Sequence, residues 1–149
     1  ALESNIEDCK PTMCHYVLLQ LQKAGYIKKL ISTNTDGLHV RSGFPRSHLA
    51  ELHGNAYKEI CETCGAQYMR DFDTTTNVKR PEHWTGRICD KKDCDGRLYD
   101  TIVGFGEGLP KDEYANCRHW SRKSDMSLVL GTSMKVQPAA SLPTYAIEN

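Results

Sequence analysis

The sequence predicts an α/β fold in which short parallel strands alternate with helices and carry a small zinc-binding ribbon as an insert. Three observations lead there. Helix-period and strand-like apolar segments alternate along the chain. Four cysteines form two close pairs, Cys61-x2-Cys64 and Cys89-x4-Cys94. The alternation resumes beyond those pairs, so the cysteine segment interrupts a layer rather than ending it. The 149 residues suit one domain, or one domain with a satellite.

The first predicted element is a helix over 12–24. Thr12 can cap it, Gly25 can take the left-handed position after it, and Val17, Leu18, Leu21 and Ala24 make one apolar stripe. A strand over 26–32 runs into Thr33-Asn34-Thr35-Asp36-Gly37, and a short helix is expected around 47–52, before His53-Gly54. Ala56–Glu62 reads as a strand entering the first cysteine pair, the aperiodic polar stretch 71–86 as a loop, and Arg97–Val103 as the strand leaving the insert. Lys111–Lys123 reads as a helix, Asp125–Leu130 as a strand ended by Gly131-Thr132-Ser133, and Pro138–Ile147 as a last helix.

Charge and length exclude several classes. Nineteen Lys and Arg balance nineteen Asp and Glu, so no basic field is present to grip nucleic acid. No apolar run approaches the ~20 residues that cross a bilayer, and 1–11 lacks a signal-peptide pattern. No membrane partner is expected.

Seven cysteines without a secretion signal speak for a reducing compartment and against a disulfide framework. Cys61, Cys64, Cys89 and Cys94, with 24 residues between the pairs, suit tetrahedral zinc, and Gly65 and Gly96 supply the knuckle turns. Four thiolates close the coordination shell, so the metal is expected to be structural. A deaminase zinc would need an H-x-E motif, which is absent. His83 is the one nearby substitute ligand, and an isolated loop histidine more often sits in solvent.

Two polar clusters follow apolar strands: Asn34 with Asp36, and Gly131-Thr132-Ser133. In open parallel sheets that edge receives ligands, and small residues with N–H groups and hydroxyls suit phosphate or ribose oxygens. Ordinary turn chemistry accounts for both clusters equally well. Gly104-Phe105-Gly106-Glu107-Gly108 has the wrong spacing for a dinucleotide fingerprint. His53 can serve as a base near neutral pH, although a lone histidine more often has a structural role.

Taken in order, Asn34-x-Asp36-Gly37-Leu38-His39, Glu51-Leu52-His53-Gly54, the cysteine pairs, Phe105-Gly106-Glu107-x-Leu109-Pro110 and Gly131-Thr132-Ser133-x-x-Val136-x-Pro138 resemble the sirtuins, NAD-dependent protein-lysine deacylases. Lys10-Pro11-Thr12 and His15 resemble the family's helix ahead of the first motif. Val40–Arg46, Thr85-Gly86-Arg87 and Asp100-Thr101-Ile102 look closest to the nuclear, chromatin-acting branch that includes mammalian sirtuins six and seven.

The resemblance implies a Rossmann-like NAD-binding unit from 1–55 and 104–149 with a zinc module at 56–103. It implies that Asn34 and Asp36 line the nicotinamide pocket beside Thr33, that His53 is the general base, and that Gly131, Thr132 and Ser133 hold ribose and phosphate. Val103, Phe105, Gly106 and Glu107 would border a groove where an acyl-lysine peptide lies as an added strand. The expected products are free lysine, nicotinamide and O-acyl-ADP-ribose; histones or other chromatin proteins are the expected partners, in the nucleus or otherwise the cytoplasm. Thr33 stands where the family usually has Gln, and the family's N-terminal glycine-rich loop and closing strands have no counterpart here, as in a catalytic-core piece of a longer protein. The alternatives are a zinc-stabilised binding or scaffold module without turnover, and a mono-ADP-ribosyl transferase using the same residues.

Overall fold

A computed structural model describes residues 9–146; the outermost parts of the expected NAD-binding unit, 1–8 and 147–149, lie outside the described residues.

Helix α1 spans Met13–Lys23. The Thr12 backbone N–H donates to His15 Nδ1 at 3.1 Å, closing the first turn, and Gly25 follows in the left-handed region at φ +82°. The predicted stripe is displaced: Leu19 is the buried residue, Leu18 and Leu21 are half-buried, and Val17 and Ala24 are exposed. Strand β1 is only Leu30–Ser32, and it pairs in parallel with β2, Leu49–Glu51, in the register Leu30↔Leu49, Ile31↔Ala50 and Ser32↔Glu51. The helix expected around 47–52 is therefore a 3-10 turn at Arg46–His48 running into a strand. An additional helical turn, α2, occupies Leu38–Arg41.

Alternation along this strand pair organises both cores. Leu30 and Leu49 point to a cluster with Leu19 and Phe44, on the α1 side. Their neighbours Ile31 and Ala50, with Leu52, point to the opposite cluster. There Cys117 of α3, Lys111–Lys123, and Leu142 of the 3-10 segment Ala139–Ala146 complete the packing. Parallel strands covered by helices on both faces are the expected α/β arrangement.

The cysteine segment forms a separate four-stranded antiparallel sheet in the order β4-β3-β6-β5. Its strands are β3 Lys58–Cys61, β4 Gln67–Met69, β5 Trp84–Ile88 and β6 Arg97–Asp100. Glu59 of β3 is fully buried and takes Arg70 Nε and Arg87 Nε on its two oxygens, each at 2.7 Å. That pair of ion pairs ties the far side of the sheet together.

The strand expected at Asp125–Leu130 does not form. Met126, Leu128 and Leu130 are 77%, 66% and 55% exposed, and no described strand lies beside them to accept a ladder. No described helix is long and apolar enough to cross a membrane.

Candidate active site and cysteine cluster

Cys61 ends β3, Cys64 lies on the turn closed by Gly65 N–H to the Cys61 carbonyl at 3.0 Å, and Cys89 follows β5 with its N–H on the Gly96 carbonyl at 2.8 Å. Their sulfurs and that of Cys94 lie within 4.8 Å of one another, with Cys61–Cys94 at 3.7 Å and Cys64–Cys89 at 3.6 Å. A zinc ion with ~2.3 Å bonds to four sulfurs sets tetrahedral edges of about 3.8 Å, so the donor set and its spacing fit structural zinc. A Cβ on Gly96 would meet the Cys61 sulfur at 2.5 Å, which is why glycine stands there.

The thiols are unequal without a cation. The Tyr68 hydroxyl, 3.0 Å from Cys89 Sγ, is the main reason that Cys89 is drawn down to about 7. Cys94, although the Gly96 amide favours its thiolate, is pushed up to about 12 by burial and the other sulfurs. A bound dication removes that competition, since it deprotonates its thiol ligands.

The second site forms where β1 and β2 end. Their parallel register sets Ser32 beside Glu51, and the Leu52 N–H donates to the Ser32 carbonyl at 2.9 Å. Thr33 and Asn34 therefore leave the sheet next to His53. Asn34 N–H donates to Ser32 Oγ at 3.1 Å, and Asp36 Oδ1 accepts the Leu38 N–H at 2.9 Å, which fixes the turn. Ala56 N–H donates to the Thr35 carbonyl at 2.8 Å, and Val103 N–H donates to the His53 carbonyl at 3.0 Å. These backbone bonds bring Asn34, Asp36, His53 and Val103 to one edge. His39, beside this turn, has its ring 4.7 Å from that of His15; burial first, then His15, lowers its pKa.

Asn55 is the residue that sequence reading missed. It is fully buried, its backbone N–H and carbonyl both engage the Thr101 hydroxyl at 3.0 and 3.1 Å, and its Oδ1 accepts the Tyr57 N–H at 2.8 Å. It joins the β2 end to the segment leading to Val103. Its place directly after His53-Gly54 was the available signal.

Phe105 is 98% exposed, and Gly106 stands beside it at φ +86°. Glu107 turns inward instead, with Oε2 accepting the Gly104 N–H at 2.6 Å and Oε1 lying 2.9 Å from His83 Nε2. Its carboxyl is held below the ordinary range, first by the Gly104 amide and then by His83. His83 was expected in solvent; it is largely covered and bridges two carboxylates. Gly131, Thr132 and Ser133 are exposed, and the Thr132 hydroxyl accepts the Met134 N–H at 3.2 Å.

Comparison with known proteins identifies the family. The family model described as Sir2 family matches residues 1–138. The NAD-dependent protein deacetylase SRT1 of Oryza sativa subsp. indica is 42% identical over 139 residues, covering 93% of this chain and 28% of that protein. NAD-dependent protein deacetylase sirtuin-7 of Homo sapiens is 40% identical over 139 residues, covering 89% of this chain and 34% of that protein. The chain thus spans about a third of the length of these curated relatives. A solved Sir2 complex with p53 peptide and NAD+ superposes with a TM-score of 0.70 at 33% identity, over 96% of this chain and 56% of that one. A Sir2 homolog–NAD complex gives a TM-score of 0.72 at 29% identity, over 96% of this chain and 52% of that one. With its cysteine quartet, its paired strand ends and a family match running from residue 1 to 138, this chain belongs to the Sir2 family.

Proposed function

We propose that the protein containing this chain removes acyl groups from protein lysines with NAD as co-substrate, and that the edge formed by Asn34, Asp36, His53 and Val103 is its reacting centre. Bound NAD would supply the ribose carbon that the acyl oxygen attacks as nicotinamide leaves, and the ribose hydroxyl that finally carries the acyl group. Asn34 and Asp36, with Thr33 beside them, orient the nicotinamide end. His53 takes a proton from a ribose hydroxyl, a task suited to an imidazole near neutral pH. Val103, Phe105, Gly106 and Glu107 border the acyl-lysine groove, and Gly131, Thr132 and Ser133 contact ribose and phosphate. The cysteine-bound zinc stays outside the chemistry, since four sulfurs leave no open position.

One observation carries this reading: parallel pairing sets the Asn34 turn and His53 side by side, and the His53 carbonyl is bonded to Val103 at 3.0 Å. Base, nicotinamide-side polar groups and peptide-side backbone thereby share one edge. The likeness of Val40–Arg46, Thr85-Gly86-Arg87 and Asp100-Thr101-Ile102 to the nuclear sirtuin branch favours a nuclear protein substrate for the parent protein. The exposed Gly131–Ser133 segment favours a second reading for these 149 residues taken alone, a zinc-stabilised module that binds acyl-lysine peptide without turnover.

Calorimetric titration of NAD and of an acetyl-lysine peptide, each with and without the other, combined with an assay of nicotinamide release, tests the reading. Peptide-dependent nicotinamide release supports the enzyme. Peptide binding without release, in this chain and in the full-length protein alike, supports the binding module.

A further inference from the structure

Outside the reacting edge, one group of ionisable side chains joins the four-stranded sheet to the segment that leads into α3. His83, just before β5, places Nδ1 3.2 Å from Asp100 Oδ2 and Nε2 2.9 Å from Glu107 Oε1. Asp100, at the end of β6, has a fully buried side chain; its Oδ1 accepts the Ile102 N–H at 2.8 Å and lies 3.3 Å from Arg80 Nη2. Arg80 Nη1 also donates to the Ile102 carbonyl at 3.1 Å and packs against the His83 ring. The chain from Asp100 to Glu107 is therefore held from the cysteine-module side at both ends. Between those holds lie Val103, bonded to His53, and Phe105, which is almost wholly in solvent.

Both oxygens of Glu107 are occupied within the protein, one by the Gly104 amide and one by His83. A carboxylate so placed is poorly available to a ligand. Removing it would release the Gly104 amide and free the turn that displays Phe105.

We propose that His83 and Glu107 form a clamp that sets the Gly104–Glu107 turn, so that Glu107 borders the acyl-lysine groove through its backbone while its carboxylate, like the His83 ring, acts as a positioning group. This rests on the deacylase reading for the identity of the groove. The pair also makes the cysteine module a support for the groove: His83 precedes β5 and Asp100 ends β6, whereas Glu107 belongs to the segment that leads into α3. Asp100 and Arg80 act on His83 and on the Ile102 backbone, one step further out.

A double-mutant cycle on the zinc-loaded protein decides the matter, with binding of a fluorescent acetyl-lysine peptide, hydrogen exchange at the Gly104 amide, zinc content and melting temperature all measured. His83→Ala and Glu107→Ala are each expected to weaken peptide binding about tenfold, and the double variant by about the same tenfold, because the two residues act as one unit. His83→Ala should also speed exchange at Gly104, a residue it does not contact, with zinc content unchanged. His83→Gln, whose amide can donate to Glu107, should restore part of both losses. Losses that multiply to about a hundredfold in the double variant, or Gly104 exchange unmoved by His83→Ala, overturn the clamp. If the parent protein binds no acyl-lysine peptide, the deacylase reading fails and the groove assignment with it; the exchange measurement still shows whether the clamp exists.

Discussion

A Cβ on Gly54 would lie 1.9 Å from the carbonyl oxygen of Thr101. The backbone after His53 and the backbone before Val103 pass too closely for any side chain, and Gly54 is left-handed as well, at φ +86°. This approach lets the His53 carbonyl accept the Val103 N–H. Gly54→Ala must therefore push the segments apart and strain its own backbone. We expect a loss of about 2–4 kcal/mol in stability, the scale of a backbone clash combined with a disfavoured φ. Peptide binding should fall with it. Urea unfolding of wild type and variant measures the first and peptide titration the second; an unchanged midpoint would contradict the close approach.

The cysteine cluster leads to a metal prediction. Cys64→Ser removes one of four donors from a small sheet whose stability is linked to its ion. One zinc per chain is expected in the parent protein by elemental analysis, with a substoichiometric and aggregation-prone product from the variant. Tyr68→Phe keeps all four donors but deletes the hydroxyl 3.0 Å from Cys89 Sγ. Loss of such an outer partner commonly lowers metal affinity ~10–100-fold, so zinc should pass to a chelator at a correspondingly lower chelator concentration. Full zinc retention by both variants would remove the cluster from the metal-binding role.

Long-range partners decided which parts of this fold could be read from its sequence. Helix α3 was legible because Tyr114, Cys117 and Trp120 recur at i, i+3 and i+6, a local signal, and the structure bears out its bounds at Lys111–Lys123. Leu49–Glu51 lies in the stretch expected as a short helix; β1 overrides that local reading, by pairing with it and leaving Leu49 and Ala50 to opposite cores. Met126–Leu130 has a strand's composition without a described strand to pair with, and composition alone makes no ladder. The cysteine quartet was visible because zinc ligation fixes spacing along the chain. The roles of Asn55 and His83 were not: Asn55 meets Thr101 46 residues away, and His83 meets Asp100 and Glu107 17 and 24 residues away.

Glu59 predicts an acid limb. Its buried carboxylate works against desolvation, yet Thr85, Arg70 and Arg87 together hold its pKa below the ordinary carboxylate value. A carboxylate whose pKa is lower folded than unfolded contributes stability that is fully present above the unfolded value, about 4.3, and fades as pH falls through the depressed folded value. Glu59→Gln should therefore be markedly less stable than wild type at pH 7, by up to about 3–5 kcal/mol for a broken buried pair. The gap should narrow steadily below about pH 4. Thermal melts of both proteins across that range measure it, and a gap constant with pH would show that the arginines contribute packing rather than charge.

His53 separates the proposed chemistry from the fold. Its backbone, through the carbonyl bonded to Val103, contributes to structure, whereas its imidazole is not part of either apolar core. His53→Ala keeps the backbone bond and deletes the ring, so the melting temperature and zinc content should stay close to those of the parent protein. Loss of a general base commonly costs ~10²–10⁴ in rate, and deacylation by the full-length protein should fall by that factor. If His53 acts, as proposed, on the ribose hydroxyl after nicotinamide departs, exchange of labelled nicotinamide into NAD should survive the change far better than deacylation does. Asp36→Asn, on the nicotinamide side, should lower exchange and deacylation together. If His53→Ala instead lowered both reactions equally, the ring would belong to binding or to the first step, and the proton transfer would have to be assigned to another group.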